Sequence, residues 1–144
     1  MDYYFPSSSP EAVAHSHFIE NGFDWDTTHQ HLDEAFVSSC AAYQAFSRYI
    51  SGADLYIPPR NRPELERILK RYTYDAIHNT IAKARAQVLP GGYSRMCERA
   101  EISIKNVLNK TNNDHNLVVL HSRFLANHDA HALSPPSPRF IRTT

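Results

Sequence analysis

Nine histidines in 144 residues are the first candidates for chemistry. His15 with His17 and His29 with His31 stand two apart, a spacing that turns rings to roughly opposite sides of a helix. His29 with Asp33, His121 with His128, and His128 with His131 share helical faces. A metal site inside a helical bundle needs several converging ligands, often with Glu-x-x-His spacing. No such spacing occurs, so no metal and no cofactor is expected. The histidines read as side chains titrating near neutrality.

The two cysteines, Cys40 and Cys97, each fall in an apolar helical pattern and read as buried thiols. Cys97 stands in what the pattern makes the first turn of a fourth helix, where a thiol pKa is lowered. No nucleophile elbow, phosphate loop, dinucleotide fingerprint or zinc-finger spacing accompanies them. The expectation is a protein that binds rather than catalyses.

Two other clusters point to binding. Arg60, Arg62, Arg67, Lys70 and Arg71 crowd one stretch with Tyr56, Tyr72 and Tyr74 among them. Arginine forks suit carboxylates and phosphates, and tyrosines stack on unpaired bases. Phe23, Asp24, Trp25 and Asp26 are the opposite: two rings among carboxylates, the composition of an interface anchor. The whole chain repeats this division. Residues 1–62 carry eight acids and three bases, and residues 63–144 carry seven acids and twelve bases. The two parts either clasp within one chain or dock between copies.

The elements that must position these residues are helices. Ser9-Pro10-Glu11 reads as N-cap, proline at N1 and an acid in the first turn, with Asn21-Gly22 as the stop. Thr27 and Gln30 fit a capping box for a second helix to about Ile50, ended by Gly52. Its apolar face is Leu32, Phe36, Cys40, Tyr43, Phe46 and Ile50, with Ala35, Ala41, Ala42 and Ala45 allowing close approach. Leu55 to Pro59 must be extended, because proline disfavours helix in the residue before it. Asn61 with Glu64 starts a third helix that Pro90-Gly91-Gly92 closes after about Val88. Ser94 caps a fourth, carrying Cys97, Ala100, Ile104, Val107 and Leu108 inward. A fifth segment runs from His115 to Ala132. Leu117 to Leu120 also fits a short strand, which has no second strand to pair with.

These readings predict an all-α protein, a compact bundle of four to five helices in one domain over residues 1–133. Residues 1–9 read as a loose lead-in, and residues 134–144 as a flexible proline-containing tail. No apolar run approaches a membrane span and no signal peptide is visible, so a cytoplasmic or otherwise intracellular protein is expected, a cell's own or a virus's. The leading expectation is a small helical protein–protein interaction module, self-associating or bound to another protein. One alternative is an RNA-binding assembly protein, a helical coat subunit or RNA-sequestering factor. A further one is a histidine-dependent metalloprotein or enzyme.

Overall fold

A computed structural model describes residues 1, 3–21, 32–53, 55–84 and 86–122. The protein is all-helical. Helix α1 spans Pro10–Asn21, α2 Glu34–Ser51, α3 Arg62–Lys83 and α4 Gly92–Leu108. A fifth helix, α5, is described over residues 113–122, so Leu117 to Leu120 is helical rather than a strand. No helix among the described residues is long and apolar enough to cross a membrane.

Helix α2 is the hub and packs against α1, α3 and α4. It begins later than Thr27, because Leu32 and Asp33 are not helical. Asp33 takes the cap instead, its carboxylate accepting from the Phe36 N–H at 3.1 Å. The proposed capping pair Thr27 and Gln30 lies outside the described residues. Of the expected face, Leu32, Cys40 and Phe46 are buried, but Phe36, Tyr43 and Ile50 are only part-buried, and the buried face extends one step round to Val37, Ala41, Ala45 and Tyr49. Two neighbours explain the shift. Helix α1 covers the Phe36 and Tyr43 side, while α3 and α4 press on the alanines. Ala41, Ala42 and Ala45 are essentially inaccessible, as expected of residues that let helices approach closely, whereas Ala35, in the first turn of α2, is exposed.

Helix α3 starts where its cap places it, with the Asn61 side chain accepting from the Glu64 N–H at 3.0 Å and Pro63 in the first turn. The return bond differs from a regular capping box: Glu64 Oε1 accepts from the Arg60 N–H rather than from that of Asn61. Its buried face includes Thr73 and Thr80, whose hydroxyls donate to the carbonyls of Leu69 and Ala76 at 2.7 and 2.8 Å. That pairing makes two polar side chains tolerable in the core. The helix stops at Lys83, five residues before the expected Val88. Beyond it Ala84, Ala86 and Val88 pack on the core as alternate residues, and the Gln87 carbonyl accepts from the Leu32 N–H at 2.9 Å. Extended backbone turns every second side chain inward, which a helix would not do.

Helix α4 begins at Gly92, with Gly91 at φ 75° as N-cap and no side-chain cap bond, so Ser94 is not the cap. Its expected inward residues, Cys97, Ala100, Ile104, Val107 and Leu108, are all buried. The core forms two clusters along α2: one around Phe46, Tyr49, Leu69 and Leu108, the other around Val37, Ile77, Met96 and Ala100. Each large side chain buried there contributes about 1.5–3 kcal/mol. The lead-in is tied down rather than loose where it is described. Phe5 is buried, its ring edge-on to Phe46 at 5.1 Å, and the Phe5 N–H donates to the Met1 carbonyl at 2.9 Å. The proline-containing tail lies outside the described residues.

Candidate interaction site

The five basic residues singled out in the sequence come together at the start of α3, but not as one free cationic surface. Arg60, 85% exposed, holds Glu64 at 3.2 Å. The hydrogen bond from the Arg60 side chain keeps the Glu64 carboxyl below its ordinary range. Arg62 is a structural clasp. Its guanidinium reaches Glu66 at 2.8 Å, the Asn109 side chain at 2.6 Å and Asp114 at 3.7 Å, tying α3 to the end of α4 and the start of α5. Lys70 pairs with Glu101 of α4 at 3.1 Å, and that hydrogen bond holds its ammonium pKa above the ordinary value. Glu101 also accepts from the Tyr74 hydroxyl at 3.1 Å, so it faces α3.

Two arginines remain. Arg67 and Arg71 stand four apart on the exposed side of α3, and among the described residues neither has a carboxylate within 4 Å. Arg71 lies 5.6 Å from the centroid of the Tyr72 ring, whose nearer cation is Arg48 at 4.0 Å. Beside these arginines the segment before α3 follows the first turns of the helix. Between the two runs lies a groove of about 320 Å³, lined by Leu55, Tyr56, Ile57, Pro59 and Ile68 together with Glu64, Arg67 and Arg71. A second groove of about 390 Å³ separates α3 from α4 on the other side of Arg67, and it carries the paired Lys70 and Glu101.

Tyr56 and Ile57 stand beside the first groove at 88% and 79% exposure, the two most exposed of the large apolar side chains described. Their exposure follows from the local sequence. Pro58 and Pro59 remove two N–H donors and keep the segment out of a helix, so no helical face can turn the pair inward. Ile57 is the exposed apolar residue that charge-based reading passed over. The signal for it was already present: an apolar triplet directly before Pro-Pro, outside every amphipathic period.

No protein family, curated protein or solved structure matches the chain. The site therefore has to be read from its own chemistry.

Four of the five described histidines make ring contacts, and the fifth, His115, is exposed. His15 stacks on Tyr43 at 4.3 Å, His17 meets Phe36 at 5.5 Å, His78 meets Tyr93 at 4.9 Å and His121 meets Tyr49 at 5.0 Å. Among the described residues no group of three or more His, Cys, Asp or Glu is placed to hold a metal ion. His29, His31, His128 and His131 lie outside them, as do Phe23, Asp24, Trp25 and Asp26. Because α4 starts at Gly92, Cys97 sits in its second turn rather than its first, and burial pushes its thiol pKa up. Burial pushes the Cys40 thiol up to about 12. Neither direction favours a nucleophilic thiolate.

Proposed function

We propose that this protein is a helical interaction module that associates with itself, binding rather than catalysing, through the basic face at the start of α3. The observation that carries the reading is the pair Tyr56 and Ile57, exposed at the edge of an apolar groove that Arg67 and Arg71 rim. Tyrosine and arginine are the residues most enriched where binding energy concentrates, and an apolar centre with a charged rim is the usual anatomy of a contact. An acidic partner surface is available in the chain's own sequence, at Phe23, Asp24, Trp25 and Asp26.

The RNA reading draws less support from the same geometry. Of five candidate phosphate contacts, Arg60, Arg62 and Lys70 already hold carboxylates. The two cations that remain in this cluster supply a salt slope of only about −1.4 on a single strand, too shallow for tight nucleic-acid binding.

The test is solution mass against protein concentration for the wild type and for the double variant Arg67→Glu/Arg71→Glu. The wild type should gain mass with concentration while the variant stays monomeric. Equal mass for both at every concentration would remove this face from the account.

A further inference from the structure

We propose that the groove beside Tyr56 and Ile57 receives residues Phe23–Asp26 of a second copy of the chain, an inference that rests on the self-association reading above. Complementarity is the first argument. The groove offers the apolar side chains Leu55, Ile57 and Ile68 beside Arg67 and Arg71, which among the described residues have no carboxylate within 4 Å; the one carboxylate in its lining, Glu64, is held by Arg60. The segment offers two aromatic rings alternating with two carboxylates, with Glu20 just before them and no basic residue from Glu20 to Asp26. Ring into groove and carboxylate onto arginine satisfies both halves, and an arginine–carboxylate fork adds geometric selectivity.

Reach decides between the chain's own segment and a neighbour's. The ion pair Arg48–Asp75, 3.0 Å, marks one level on the antiparallel helices α2 and α3. From Arg48 back to Phe36 α2 runs about 18 Å, and from Asp75 back to Ile68 α3 runs about 10 Å in the opposite sense, at roughly 1.5 Å per residue. The groove therefore lies about 28 Å along the bundle from Phe36. The last turn of α1 sits at the Phe36 end, where the His17 ring meets Phe36 at 5.5 Å and Phe18 packs in the cluster of Leu32. Asn21, one turn further on, is the last residue of α1. Four residues of fully extended chain from Asn21 to Trp25 span at most about 14 Å. Adding the turn from His17, about 6 Å, brings the reach to roughly 20 Å. One chain falls short of its own groove by most of a nanometre, and a second copy has no such limit. Donor and acceptor patches are thus distinct, and each copy offers one of each.

Trp25 is the only tryptophan, so its emission reports the segment directly in the full chain. Emission maximum and light-scattering mass are to be followed over the same concentration series. The expected result is a blue shift that grows with mass and is absent in Arg67→Glu/Arg71→Glu. Replacing the ring in Trp25→Ala should weaken association by about tenfold or more. Equimolar mixing of Arg67→Glu/Arg71→Glu with Asp24→Lys/Asp26→Lys should restore association that each variant alone lacks. Mass that grows while Trp25 emission stays fixed overturns the docking but leaves self-association standing. A blue shift independent of concentration places the segment on its own chain and also overturns it. Mass that never grows removes the docking and the broader reading together, and failure of the mixed variants to associate rejects the charge pairing.

Discussion

Replacing Gly52 with alanine probes the junction on which the far end of the bundle depends. Gly52 ends α2 in the left-handed region, φ 70°, and its N–H donates to the carbonyls of Arg48 and Tyr49. A Cβ built there lies 2.8 Å from Cε1 of His121, so the ring must move. His121 sits edge-on to Tyr49 at 5.0 Å and hydrogen-bonds to the Tyr49 carbonyl. Two costs combine. Forcing an L-residue into the left-handed region costs about 1–2 kcal/mol, and losing the His121 bond about 0.5–1.5 kcal/mol more. Together they predict about 1.5–3.5 kcal/mol, and at about 2–4 °C per kcal/mol a fall in Tm of roughly 3–14 °C. Gly91 supplies the control. Its φ is 75°, but an added Cβ there meets only the end of the Arg95 side chain at 3.0 Å, so Gly91→Ala should cost the backbone strain alone. Urea unfolding of Gly52→Ala, Gly91→Ala and Gly52→Ala combined with His121→Ala separates the contributions. In the His121→Ala background the Gly52 substitution should cost no more than Gly91→Ala. Equal costs for Gly52→Ala and Gly91→Ala in the wild type would refute the seating of His121 over the end of α2.

Two further outcomes follow from the charges and thiols. The hydrogen bonds from Arg95, 2.8 and 2.9 Å, hold the Glu34 carboxyl below its ordinary value of 4.5. A lowered carboxyl pKa stabilises the fold above the unfolded value and loses that contribution as pH falls through the folded one. Glu34→Gln should therefore be less stable than wild type at pH 7, by about 1 kcal/mol or less for so exposed an arginine. The gap should narrow as pH falls below 4.5, and a gap that stays the same size through acid pH in thermal melts would contradict the assignment. Cys40 is inaccessible, with its pKa at about 12, so a thiol reagent at pH 8 should leave it unmodified until the protein unfolds. Prompt labelling of Cys40 in the native protein would show that this part of the core opens readily.

Much of the helical frame was legible because caps are local. Ser9 before Pro10, Asn61 before Pro63 and Gly52 after α2 act within a few residues, and each ends or begins a helix where the sequence places it. The start of α4 was misplaced at Ser94 because a left-handed Gly91 can begin a helix with no side-chain bond at all. The end of α3 was placed late because Ala84 and Val88 continue an apolar period that extended backbone serves equally well. The basic cluster was legible as composition but not as a surface. Arg62 with Asn109 and Asp114, and Lys70 with Glu101, join residues over thirty positions apart, and no local pattern records such partners. What that pairing leaves, Arg67 and Arg71 beside Tyr56 and Ile57, is a smaller and more apolar site than the charge run announced.

The central claim is that this helical domain binds copies of itself by opposed charge around an apolar centre. Light-scattering mass of the untagged wild type at low and high salt, with the 260/280 nm absorbance ratio recorded, tests it most directly. The account predicts an oligomer free of nucleic acid that dissociates partly as salt rises, because exposed arginine–carboxylate pairs are screened beyond roughly 10 Å at 0.1 M. A monomer at both salts would contradict self-association, and particles with excess absorbance at 260 nm would replace it with the RNA-assembly reading.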